Sequence, residues 1–140
     1  MPLVRISLSR GSASSLRQIG DAVHQAMVDT IGIPENDRFQ VFDLHEPEEL
    51  IFDETFYDVR RSPGFLAVQI TLAKGRTVEV KKKLYARMAA LLHERAGVRP
   101  EDVFVSLLEV GPADFSLGNG KAQFAEALPS HLAALQSPTA

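Results

Sequence analysis

The sequence predicts an α/β fold in which two βαβ repeats form a four-stranded sheet with two helices on one face. Three observations carry this reading. The alternating segment Val4-Arg5-Ile6-Ser7-Leu8 recurs 64 residues later as Val68-Gln69-Ile70-Thr71-Leu72. The same offset lays Arg10 on Lys74 and Gly11 on Gly75. With one more residue, Gly32-Ile33 falls on Gly97-Val98, Asp37 on Asp102 and Phe39 on Phe104. Each half also shows the same order of patterns, a strand, a helix and a second strand.

Taken in order, residues 3–8 alternate as a half-buried strand does. Residues 12–31 place Leu16, Ile19, Val23, Met27 and Ile31 at spacings of three and four, one apolar stripe on a helix. Gly32 is placed to end it, and Pro34 cannot continue it. Phe39 to Leu44 is the second strand. In the second half, residues 65–72 are a strand and 77–96 a helix with Val80, Leu84, Met88 and Leu91 inward. Gly97 and Pro100 close that helix, and 103–109 is a nearly continuous apolar strand. Two parallel strands need a crossover of this length, normally helical and right-handed. Between the halves, the acidic stretch 45–64 reads as a solvated connection with a short strand at Glu49–Asp53 and a turn at 60–64. After Gly111-Pro112, a short helix is expected over 121–128, and the end from Ser130 is weakly patterned and expected to fray.

At 140 residues the chain is about one domain's worth. We read it as a single domain, with pseudo-repeats at about 2–44 and 65–109 and a tail at about 129–140. The net charge of −3 argues against a general nucleic-acid binder. The absence of Cys excludes disulfides, thiolate metal sites and a Cys nucleophile. No apolar run reaches the roughly 18 residues of a membrane helix, and Arg5 and Arg10 interrupt any signal core. A cytoplasmic protein with no membrane or nucleic-acid partner is expected. Two helices on one side leave the other sheet face bare and partly apolar, which calls for self-association.

Four features are candidates for chemistry. Pro2 follows the initiator Met, whose removal would leave a secondary amine at the start of a strand. An α-amino group titrates near 7.7–8.0 in model peptides, so it serves as base or acid near neutrality. Lys74-Gly75-Arg76 sits where a strand meets a helix. Arg matches a carboxylate with a planar fork and Lys adds a point charge. In βαβ folds, ligands gather at the carboxyl ends of strands. Asp37, just before a strand, is placed to orient water or a carbonyl, although Asp is also an ordinary turn residue. Its repeat mate Asp102 is the internal comparison. The four histidines, at 24, 45, 93 and 131, show no ligand spacing, and no metal site is expected. Glu79 and Lys83 suit a solvated helix face around the Lys81-Lys82-Lys83 run.

These residues resemble the tautomerase superfamily, and within it the fused-repeat members near malonate semialdehyde decarboxylase. The resemblance rests on Pro2-Leu3-Val4-Arg5-Ile6, Asp37-Arg38-Phe39-Gln40-Val41 and Glu49-Leu50-Ile51-Phe52-Asp53. It continues through Arg61-Ser62, Lys74-Gly75-Arg76-Thr77 with Lys81, and Phe115-Ser116-Leu117-Gly118-Asn119-Gly120. It implies a catalytic Pro2 assisted by Asp37 and a substrate carboxylate held by Lys74 and Arg76, with Phe115 and Leu117 as a substrate-facing wall. It also implies a homotrimer and no cofactor. The decarboxylase carries arginine where Lys74 stands, and the family's Trp-Ser-Phe-Gly is here Phe115-Ser116-Leu117-Gly118. The activity implied is keto–enol tautomerisation of a small 2-oxo or 3-oxo acid. Decarboxylation or hydration is the alternative, and a non-catalytic trimeric binding protein is a third reading.

Overall fold

The structure, a computed structural model, describes residues 2–11 and 15–136. Its sheet is built from β1 (Leu3–Ser9), β2 (Gln40–His45), β3 (Leu66–Ala73) and β4 (Val103–Val110), in the order β2-β1-β3-β4. Helix α1 (Leu16–Ile31) joins β1 to β2, and α2 (Val78–Ala96) joins β3 to β4. Both joined pairs are parallel, as the crossovers require. The two halves meet at β1 and β3, which run antiparallel with Leu3 opposite Thr71 and Leu8 opposite Leu66. The repeat pattern contained no signal for that central join. The first residues of the helical segment expected over 12–31 lie outside the described residues.

The helices end where the sequence says they should, for local reasons. Ser15 caps α1 by accepting from the Gln18 N–H at 3.3 Å, and Thr77 caps α2 by accepting from Val80 at 3.3 Å. Gly97 takes φ 67° at the end of α2 and turns its N–H back to the carbonyls of His93 and Leu92. The stripes of both helices face one side of the sheet. Val4, Ile6 and Leu8 of β1 and Leu66, Val68, Ile70 and Leu72 of β3 are buried against Ile19, Val23, Met27, Leu84, Met88 and Leu91. Each large aliphatic side chain so buried contributes about 1.5–3 kcal/mol of transfer free energy. The opposite face is open in the single chain, where Leu3, Phe39, Val41, Phe104 and Leu108 are all exposed.

The connection between the halves departs from expectation at one point. Glu49–Asp53 is not a strand. Pro47–Glu49 forms a single 3-10 turn, closed by a hydrogen bond from the Glu46 N–H to Glu49 Oε1 at 2.9 Å. Glu49, the first residue of the expected strand, is taken up in that turn. Phe52 turns inward instead and stacks on Phe65 at 4.5 Å. Arg61 then knits the loop, donating from Nη1 to the carbonyls of Asp53, Phe56 and Val59 at 3.0–3.2 Å. The solvated character of the stretch holds, since Ile51, Phe56 and Tyr57 are exposed.

The C-terminal segment departs further. After the one-turn helix α3 (Gln123–Glu126) comes α4 (Ser130–Gln136), in a region expected to fray. Leu132 of α4 is fully buried. The helix is therefore anchored by packing rather than by propensity. No helix among the described residues is long and apolar enough to cross a membrane.

Candidate active site

The strand order brings the candidate residues to one end of the sheet. Val4 lies opposite Gln40 on one side and Ile70 on the other. Continuing that register toward the chain start puts Pro2 beside the segment entering β2 and beside the end of β3. Asp37 lies in the first of these and Lys74-Gly75-Arg76 directly follows the second. The antiparallel centre is what makes this possible, because the start of β1 then meets the carboxyl end of β3. Pro2 is buried there.

Each neighbour is fixed by local structure. The turn carrying Asp37 closes through its N–H to the Pro34 carbonyl at 3.0 Å. His24, buried on α1, donates from Nε2 to the Glu35 carbonyl at 2.8 Å and pins the same turn to the helix. Asp37 itself is half-buried. Its repeat mate has a structural task. Asp102 is 2% exposed and accepts from the Ser62 N–H at 2.7 Å and the Ser62 hydroxyl at 2.6 Å. The internal comparison thus separates the two aspartates: one is buried and ties loops together, and the other is half-buried at the proline end of the sheet.

The basic loop is built for close approach. Gly75 has φ 130°, a conformation that side-chain-bearing residues rarely adopt. A Cβ there would also lie 2.8 Å from the Cβ and from the carbonyl oxygen of Leu135 on α4. Arg76 is half-buried and donates from Nη1 to the Ala73 carbonyl at 2.9 Å, which anchors the guanidinium. Its Nε is buried without a hydrogen-bond partner among the described residues. Burial pulls the guanidinium pKa down, and Glu109 opposes this. Lys81 donates to Glu109 at 2.6 Å and, with lesser help from the Gly75 N–H and Arg76, holds that carboxyl below the usual range. Lys81 is thereby engaged with β4, and Glu79 pairs with Lys82 at 3.6 Å rather than with Lys83. Lys74 is exposed beside Arg76, with its N–H bonded to the Val110 carbonyl at 2.9 Å.

The wall residues lie beyond β4. Phe115 packs edge-on to Phe124 at 6.2 Å, and Leu117 is 40% exposed while its N–H donates to Gln123 at 2.9 Å. One residue that sequence reasoning passed over joins the group. His131, on α4, lies close enough to Asp37 and Arg76 for both to act on its charge. Burial first, and Arg76 with it, push its imidazole below the usual pKa, while Asp37 pulls it up. The one available signal was the spacing of three between Leu132 and Leu135, which marks a helix packed on something. No group of three or more His, Asp or Glu among the described residues is placed to hold a metal ion.

Comparison with known proteins decides the family. Residues 37–118 match one family model described as a tautomerase enzyme, and residues 2–58 match a second of the same description. The chain belongs to the tautomerase family. Among its relatives in Bacillus subtilis (strain 168), the probable tautomerase YusQ is 39% identical over 127 residues, covering 90% of this chain and all of the relative. A structure of FG41 malonate semialdehyde decarboxylase inhibited by 3-bromopropiolate superposes with a TM-score of 0.83 at 34% identity, covering 91% of this chain and 98% of that one. A second malonate semialdehyde decarboxylase, whose structures are described as the basis for decarboxylase and hydratase activities, gives 0.81 at 33% over 89% and 96%. A fused 4-OT that forms a symmetric trimer shares the fold, with a TM-score of 0.69 at 23% identity over 88% and 98%. In tautomerase terms, the paired βαβ units are the ones already described.

Proposed function

We propose that this tautomerase-family chain decarboxylates a small 3-oxo carboxylic acid without a cofactor, with the Pro2 amine as proton donor. The observation that carries the reading is the meeting of Pro2, Asp37 and Arg76 at one end of the sheet. The likeness to two malonate semialdehyde decarboxylases supports decarboxylation ahead of the simple tautomerisation that the sequence favoured. Arg76 and Lys74 hold the substrate carboxylate, and the planar fork of Arg76 sets its orientation. The bond to be broken must stand perpendicular to the carbonyl plane. Its electron pair then flows into an enolate as CO2 leaves. A cationic Pro2 meets the growing charge on the carbonyl oxygen and gives its proton, and Asp37 favours that cationic form. A proton from solvent then reaches the carbon while the enol oxygen returns its proton to Pro2, so that one proton is taken up for each CO2 released. Tautomerisation is the second reading, favoured by the curated relatives' description as probable tautomerases. It uses the same amine in its neutral form as a base.

Asp37→Asn tests the distinction. Decarboxylation or hydration should fall by about a hundredfold, the scale of one acid–base contribution. Ketonisation of a phenylenolpyruvate-type enol should fall much less. Equal losses in kcat/KM on both substrates would make Asp37 general to both reactions or merely structural.

We also propose a homotrimer, supported by the open apolar sheet face and by the trimeric fused 4-OT. Light scattering should return three times the 15.4 kDa chain mass. A stable monomer at micromolar concentration contradicts it.

A further inference from the structure

We propose that His131 is a further substrate-contacting residue, whose Nε2–H donates a hydrogen bond to an oxygen of the acid held by Arg76. The inference rests on the active-site reading above and adds a residue to it from a segment that the sequence left unassigned.

Three structural observations carry it. First, α4 is docked on the basic loop. Leu132 is fully buried, and the backbone and Cβ of Leu135 press on Gly75 so closely that no side chain fits there. His131, one residue before Leu132, is thereby held beside the loop. Second, His131 Nε2 is buried without a hydrogen-bond partner among the described residues. Arg76 Nε is in the same condition. Buried polar atoms are almost always paired, so each of these nitrogens asks for an acceptor. Third, Asp37 and Arg76, two groups of the site, both act on the charge of His131.

The chemistry of the acceptor follows from the donors. Arg76 Nε carries a hydrogen in every state, and a neutral imidazole carries one on either ring nitrogen. With the proton on Nε2, the loop and α4 offer two unpaired N–H groups, one of them on the charged guanidinium. Their natural partner is an anionic oxygen, such as that of a carboxylate or of the enolate formed from it. A neutral His131 also leaves the positive charge at Pro2 and Arg76, where the proposed reaction needs it. The alternative, an imidazole that merely fills space under α4, requires no N–H at Nε2.

The test uses malonate, a three-carbon dicarboxylate that lacks the reacting carbonyl, titrated calorimetrically into the full mature chain. His131→Phe keeps a flat ring for α4 to pack on and removes the donor. His131→Gln keeps an N–H of similar reach. Thermal melting confirms that each variant is folded. His131→Phe should weaken malonate binding about tenfold or more, the range for a hydrogen bond to a charged group. His131→Gln should recover most of that loss. Malonate binding unchanged in His131→Phe overturns the proposal, provided that Arg76→Ala loses it. Equal losses in the Phe and Gln variants also overturn it, since packing alone would then explain the effect. Failure of the wild-type chain to bind malonate, or binding insensitive to both His131 and Arg76, overturns the site reading and this proposal with it.

Discussion

A chain that keeps Met1 should be inactive, with kcat/KM down by at least a thousandfold from the mature form. With Met1 in place the Pro2 nitrogen is a tertiary amide, with no basic lone pair and no proton to give. Acid–base contributions of a positioned group are worth about 10²–10⁴-fold. The only free amine is then that of Met1, one residue away from where the mechanism needs it. Pro2→Ala is the intermediate case. With Met1 removed, it leaves a primary amine that still titrates at the start of β1. Activity should therefore fall in the order mature chain, Pro2→Ala, Met1-retained chain. The measurement is steady-state kinetics on a small 3-oxo acid and on a phenylenolpyruvate-type enol, with every chain's mass confirmed. A Met1-retained chain as active as the mature one would end the proline mechanism. The reading of a trimeric binding protein without a reaction would then be the better one.

Arg76→Ala should cost about 1.5–3 kcal/mol with carboxylate substrates, about 10- to 150-fold in kcat/KM, as expected for a hydrogen bond to a charged group. The guanidinium is half-buried and anchored through Nη1 to Ala73, so little ordering remains for the substrate to impose. Lys74→Ala should cost less. Lys74 is exposed, and an ammonium does not fix the plane of a carboxylate. A neutral carbonyl compound of the same size should be nearly indifferent to either change. Parallel ketonisation kinetics on a phenylenolpyruvate-type enol acid and on its methyl ester, both of which can react, measure the difference. Equal losses on both would show that Arg76 supports the fold of the loop and does not clamp the acid.

Much of this was legible in the sequence because it is local. Alternation in 4–8 and 68–72 and the three–four spacing from Leu16 to Ile31 declare strands and a helix without any partner. Gly32 and Gly97 declare helix ends for steric reasons. What was not legible depends on contacts across the fold. The antiparallel pairing of β1 with β3 is what joins Pro2 to Lys74-Gly75-Arg76, and no single strand's pattern encodes its neighbour's direction. The strand expected at Glu49–Asp53 gave way to a turn at Pro47 and a loop tied by Arg61, whose bonds run to backbone carbonyls that any sequence supplies. Asp37 and Asp102 look alike in the repeat, and it is the folded chain, with Asp102 buried on Ser62 and Asp37 half-buried, that tells them apart. His131 sits in a tail with little pattern of its own. It becomes a site residue only because Leu132 and Leu135 dock its helix against the sheet end and Gly75.

The central claim is that the Pro2 amine and the basic loop form one acid-binding reactive site. Its most direct test is covalent labelling of the mature chain with 3-bromopropiolate, an electrophilic three-carbon acid that inhibits the related FG41 malonate semialdehyde decarboxylase. Peptide mapping by mass spectrometry then locates the label. The account predicts one adduct per chain on the Pro2 nitrogen, formed at least tenfold more slowly in Arg76→Ala. An unmodified amino-terminal peptide, or labelling of Pro2 at the same rate without Arg76, would contradict it.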